Sequence, residues 1–186
     1  MRKVNKSILL CLIAMILCAC SPASKEEVLR YAENEFGKAE YVRTEEIDDR
    51  TIRYYFLDEE HGFEYCVTSE VRDILVDGAK FGETESKASN FDKVYYEYVL
   101  TQVQDELTAL EEPYGVTIRD GLEEEAQLGY EYRLAEVYVA EGDTLTAAQA
   151  AEAIHDVFVA YDTRNYWEDK EVAAYDTREE KLGSYS

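Results

Sequence analysis

Four cysteines and two histidines are the side chains of this 186-residue chain best suited to nucleophilic or metal chemistry, and they do not cluster. Cys11, Cys18 and Cys20 lie in or at the end of a short apolar run near the N-terminus, whereas Cys66 stands alone downstream. A zinc site takes three or four nitrogen or sulfur ligands, which His61, His155 and one distant cysteine do not supply. No Gly-x-Ser-x-Gly elbow, phosphate loop, dinucleotide fingerprint or His-Glu-x-x-His is present. Carboxylates abound, but with 41 acidic residues the nearness of any two in sequence carries no information. Asp58-Glu59-Glu60 and Glu123-Glu124-Glu125 could hold calcium loosely, without the alternating oxygens and central glycine of an EF-hand loop. His61, in an acidic turn, is expected to be solvated, and His155, one position off an apolar helical stripe, to be a boundary residue. The expectation is therefore no catalytic residue, no metal and no cofactor.

Cys20 is the cysteine with a legible chemistry. Arg2, Lys3 and Lys6 form a cationic start with no acidic residue before Glu26, and Ile8 to Ala19 is apolar. A helix of a dozen residues spans ~18 Å against a hydrocarbon core of ~30 Å. The run is too short to cross a bilayer and reads as an export signal. It ends in Leu17-Cys18-Ala19-Cys20: a branched aliphatic, a variable residue, a small residue and a cysteine. This quartet resembles the lipobox of bacterial lipoproteins. The resemblance implies that the Cys20 thiol receives a diacylglyceryl group and that a peptidase cuts after Ala19, removing residues 1–19. It also implies a membrane partner through acyl chains such as palmitate, on the extracytoplasmic side of the cell membrane. Ser21 in place of Asp implies onward transfer to an outer membrane if the host has one. A single chain, at ~0.8 kcal/mol per buried methylene, holds marginally, and two or three hold permanently.

Cleavage would take three of the 19 cations and none of the 41 anions, leaving 167 residues with a net charge of −25. A chain of this length buries roughly 70% of its unfolded surface. Its charge repels nucleic acid and anionic lipid, so no nucleic-acid partner is expected. Cys66 would be the one thiol left free, which rules out an intramolecular disulfide and predicts a reduced, packed side chain.

The elements that must position any site follow from periodicity. Ser24-Lys25-Glu26-Glu27 is a capping box, followed by Val28, Tyr31, Ala32 and Phe36 at helical spacing and a stop at Gly37. Glu40 to Glu46, Thr51 to Leu57, Phe63 to Thr68 and Val71 to Val76 read as four strands, with Cys66 opposite the aromatic row and Asp77-Gly78 closing the last. Phe81 to Ala88 reads as a polar loop. Ser89 and Asn90 can cap a long helix carrying Phe91, Val94, Tyr95, Tyr98, Val99, Val103, Leu107 and Leu110, ended near Pro113. Tyr114 to Arg119 and Tyr130 to Ala140 are expected strands, with an acidic turn between them. Thr146 is expected to cap a third helix burying Ala147, Ala150, Ala151, Ile154, Val157, Phe158 and Tyr161, and Val172 to Tyr175 reads as an edge strand. Ala160 to Arg164 recurs as Ala174 to Arg178, an echo short enough to be chance.

The predicted architecture is thus one α+β domain over residues 24–178. Its order is helix, four-stranded antiparallel meander, long helix, two strands and helix, with a tether at 20–23 and a charged tail at 179–186. Its element order resembles cystatin-like and NTF2-like folds, which fixes no activity.

Sixteen tyrosines against one tryptophan are the remaining bias. Tyrosine suits half-buried strands and binding surfaces, and Tyr55, Tyr96 and Tyr130 are the expected outward rings. Beside carboxylates they suit a basic peptide or protein better than a sugar. The leading expectation is a non-enzymatic, lipid-anchored binding or protective (immunity-like) protein at the cell envelope. The alternatives are an accessory subunit of an envelope or transport complex, or an envelope hydrolase using carboxylates.

Overall fold

The computed structural model describes residues 21–121, 133–166 and 170–186. The lipobox, Glu123-Glu124-Glu125 and Tyr130 lie outside the described residues. Among the described residues the fold is α+β in the expected order, with three helices and two four-stranded sheets. Its chain gathers into two compact units that divide between Val94 and Tyr95.

The first unit opens with α1 (Lys25–Phe36). The Ser24 hydroxyl accepts from the Glu27 N–H while the Glu27 carboxylate accepts from the Ser24 N–H at 2.9 Å, so the box closes as predicted. Val28 and Ala32 are buried, and Gly37 leaves the helix at φ 88°, a conformation costly for any residue with a Cβ. Four antiparallel strands follow in sequential order: β1 (Ala39–Asp48), β2 (Thr51–Asp58), β3 (Glu64–Val76) and β4 (Ala79–Ser89). Tyr54 and Phe56 from β2, and Tyr65, Val67, Ser69 and Val71 from β3, alternate into the core, and Cys66 points to the other face as expected.

The third and fourth strands differ from expectation. The segments Phe63–Thr68 and Val71–Val76 are one 13-residue strand, β3, and the stretch expected to be a polar loop is β4, paired with it from Val67↔Ser89 to Val76↔Ala79. Thr68-Ser69-Glu70 looks like a break in sequence. The buried Ser69 hydroxyl is nevertheless satisfied, accepting from the Ala23 N–H and donating to the Glu85 carboxylate, both at 2.8 Å. As an edge strand, β4 buries no large apolar side chain and shows no alternation to read. Asp77 (φ 50°) and Gly78 (φ 81°) make a two-residue loop with both residues left-handed, the geometry that suits the twist of a hairpin. β2 stops pairing at Thr51↔Glu70, so Val71–Val76 and their β4 partners continue past it as a two-stranded ribbon.

The second unit lies beyond the first turn of α2 (Phe91–Tyr114). Its sheet runs β5 (Thr117–Asp120), β6 (Arg133–Val139), β7 (Glu171–Asp176), β8 (Lys181–Tyr185), with α3 (Thr144–Tyr161) connecting the parallel pair β6 and β7. α3 begins two residues before the expected Thr146 cap. Asp143 is the cap and accepts from the Thr146 N–H at 3.0 Å, which holds its carboxyl below the ordinary range. The strand at Val172–Tyr175 is interior and not an edge. Val172, Ala173 and Ala174 are all buried, as a strand covered on both faces requires. The edge is β8, formed by residues expected to be tail. None of the described helices is long and apolar enough to cross a membrane.

At Gly121 two backbone segments of this unit approach closely. A Cβ there would stand 2.5 Å from the Arg133 carbonyl oxygen and 2.9 Å from the Ala135 nitrogen, neither of which can swing away. Gly121→Ala is expected to cost ~1–3 kcal/mol of stability through this overpacking. Urea unfolding would measure it, and a midpoint equal to wild type would show that the backbones part freely.

The pentapeptide echo is a structural repeat. Asp162 and Asp176 are both buried, and each accepts from the N–H two residues on, Arg164 at 3.1 Å and Arg178 at 2.8 Å. The residue after each arginine, Asn165 (φ 56°) and Glu179 (φ 65°), is left-handed. One local turn is built twice.

Candidate functional site

Of the tyrosines expected to share a partner surface, Tyr55 and Tyr96 are described and Tyr130 lies outside the described residues. Tyr55 is half-buried on the outer face of the first sheet, its hydroxyl 2.7 Å from Glu45 and its ring 3.7 Å beneath the Arg43 guanidinium. Arg43 in turn holds Glu64 at 2.6 Å, and Arg53 holds Glu45 at 3.3 Å. The carboxylates flanking Tyr55 are therefore already matched by arginines across the strands. Tyr96 is fully buried, which corrects its expected outward placement. Its hydroxyl lies 2.6 Å from Asp120 and 2.7 Å from the Leu134 carbonyl. Tyr96 precedes Val99 by three residues and Val103 by seven, the spacing of one helical face. That spacing was the signal available in the sequence.

Burial and the Asp120 bond push the Tyr96 hydroxyl well above its ordinary pKa, and burial pushes Tyr95, which donates to Asp162 at 2.9 Å, up to about 12. In the unfolded chain both would ionise near 10. The folded state therefore holds these protons more tightly, and the contribution is complete below pH 10 and lost as pH rises toward 12. Stability is expected to fall through that window. Tyrosinate absorbance should show two rings of the second unit that stay protonated well above pH 10 in folded protein. Titration of all tyrosines near pH 10 in folded protein would contradict this.

The candidate nucleophiles and bases of the first unit are engaged in structure. Cys66 is half-buried in β3, and burial raises its thiol pKa, which keeps it protonated and a poor nucleophile. His61 is not solvated. Its side chain is 7% exposed, with Nδ1 2.9 Å from the Asp58 carboxylate and its ring stacked on Phe63. The same Asp58 oxygen accepts from the Glu60 and His61 N–H groups at 3.1 and 2.8 Å, so this carboxylate builds a turn. Among the described residues no three acidic, histidine or cysteine side chains converge as a metal site.

One place in the second unit combines open space with unspent polar chemistry. A groove of about 470 Å³ is lined by Ala148, Glu152, His155 and Asp156 of α3 and by Ser184, Tyr185 and Ser186 at the β8 end. The α3 residues are spaced by four, three and one, which places them along one face of the helix. The helix turns Ala147, Ala150, Ala151, Ile154 and Phe158 inward, leaving this flank at the boundary. His155 Nε2 is buried and has no hydrogen-bond partner. It reaches neither hydroxyl nor carboxylate, so no nucleophile–base pair is assembled through it. A buried imidazole nitrogen left unbonded costs free energy. Among the described residues two carboxylates and no lysine or arginine line the space, so its chemistry suits a cation.

No protein-family model matches the chain, and neither the curated proteins nor the solved structures contain a match.

Proposed function

We propose that the chain is an exported, lipid-anchored binding protein that holds a basic peptide or protein segment at the cell envelope, without catalysing a reaction on it. The anchor reading rests on Leu17-Cys18-Ala19-Cys20 behind the cationic, apolar leader. The binding reading rests on one observation: the α3–β8 groove offers Glu152 and Asp156 with no lysine or arginine among its described lining residues. An ammonium or guanidinium placed there can pair with the two carboxylates. The surrounding net charge of −22 raises the local concentration of such a ligand and speeds its encounter, in a manner that salt screens over ~8 Å.

Titrating the detergent-solubilised, acylated chain with lysine- and arginine-rich peptides, at low and high salt, tests this. Saturable binding that weakens with salt is expected. The double variant Glu152→Gln with Asp156→Asn should weaken it ~3–10-fold, chiefly through lost attraction at close range. Binding that never saturates, or that ignores both substitutions, would place the ligand elsewhere or remove it.

A further inference from the structure

The β3–β4 ribbon carries four of the eight large apolar side chains exposed among the described residues. They are Ile74, Leu75 and Val76 before the Asp77-Gly78 loop and Phe81 after it, with a register irregularity between Ile74 and Leu75. Leu75 is 62% exposed and Phe81 80%, so neither belongs to the core. The segment Ile74–Gly82 contains one aspartate and one lysine and is electrically neutral within a chain of charge −22. Just behind it Asp73 and Glu83 are held by Arg50 and by the same Lys80 that balances Asp77. Arg50 lies 2.6 Å from Asp73, and Lys80 lies 3.0 Å from Asp73 and 2.6 Å from Glu83.

The position of the chain's start relative to this ribbon gives it a direction. The Ala23 N–H donates to Ser69 at 2.8 Å and its carbonyl accepts from the Tyr54 hydroxyl at 2.7 Å, which pins the residue before the α1 cap to the base of the ribbon. α1 then carries the chain to the opposite end of the sheet, where Ala39 pairs with Asp58 and the Glu59 N–H bonds the Lys38 carbonyl. The described chain therefore begins at the end from which the ribbon projects. Cys20 is three residues away, at most ~10 Å of chain. Val71–Val76 extend ~20 Å past the last pair with β2. The tether is shorter than the ribbon.

We infer that the ribbon tip is a second membrane contact, in which Ile74, Leu75, Val76 and Phe81 enter the lipid interface beside the acylated cysteine. The inference rests on the lipid-anchor reading above. A bilayer that holds Cys20 at its surface meets the tip wherever the unit stands upright, and the excess length matches the ~5–10 Å depth at which interfacial apolar groups settle. An acidic body is repelled by anionic headgroups, and the neutral apolar tip is the part that approaches without that penalty.

The test uses the acylated chain reconstituted into phosphatidylcholine vesicles. An environment-sensitive fluorophore is placed on Leu75→Cys, or on Phe81→Cys, in a Cys66→Ser background. Glu60→Cys, in the turn at the far end of the sheet, is the control. A blue-shifted emission and at least about twofold stronger quenching by nitroxide-labelled lipid at 75 and 81 than at 60 are expected. Vesicle flotation and the acyl mass on Cys20 report the anchor separately. A chain that is acylated and floats, yet shows equal quenching at all three positions, overturns the ribbon contact alone. A chain without acyl groups on Cys20 overturns the anchor and the inference with it. Sedimentation showing a dimer abolished by Leu75→Ser, with no lipid quenching, would assign the tip to a second copy and overturn the membrane contact.

Discussion

Cys20→Ala is expected to abolish fatty-acid labelling of the protein and to leave the uncleaved precursor in place of the shorter form. The thiol is the atom that takes the diacylglyceryl group in the lipoproteins whose lipobox Leu17-Cys18-Ala19-Cys20 resembles, and alanine offers nothing to acylate. The effect is all-or-none because membrane residence in this reading depends on two or three acyl chains of ~0.8 kcal/mol per methylene, far more than four interfacial side chains supply. Metabolic labelling followed by membrane fractionation measures it. Undiminished label on the variant would place the lipid on another residue.

Phe91→Ala is expected to be the most damaging core substitution of the first unit, at ~3–5 kcal/mol. The Phe91 ring is fully buried, stacks on Phe36 at 4.5 Å, meets Tyr65 edge-on at 4.9 Å and lies 5.5 Å from Phe63. Those partners come from α1, β3 and the turn before β3, so removing the ring leaves a void that no single side chain can fill. Against a typical total of 5–15 kcal/mol this takes a large share of the stability. Denaturant unfolding should show a lowered midpoint with an unchanged slope. Phe91→Leu, which keeps much of the volume, should recover most of the loss, and an alanine variant within ~1 kcal/mol of wild type would show that the cluster collapses around the gap.

What the sequence disclosed was local. The Ser24 box, the Gly37 stop and the Asp77-Gly78 loop each lie within a few residues of the atoms they bond, and their chemistry could be read directly. The continuity of β3 could not, because it depends on Ser69 finding Ala23 46 positions earlier and Glu85 16 positions later. β4 was missed for a related reason: its partner, not its own pattern, makes it a strand. The interior position of β7 needed its parallel neighbour β6, more than thirty residues away in sequence. His61 was misjudged because acidic neighbours suggest water, whereas Asp58 turns its carboxylate back on the ring. The groove was illegible altogether. Glu152, His155 and Asp156 share a helix face by spacing alone, but nothing in the sequence brings Ser184 and Tyr185 to them.

The paired Ala-Tyr-Asp-Thr-Arg turns show how little context some of this chain's instructions require. One copy ends an α-helix and the other ends a β-strand, yet the aspartate makes the same reach and the residue after the arginine takes the same left-handed twist. A message with one meaning after two unlike predecessors is context-free. The bond it encodes spans two residues, so it costs almost no loop closure and can be sampled before any sheet exists. In this protein the points of chain reversal are thus written in a portable vocabulary, whereas the strands between them acquire their meaning only from partners.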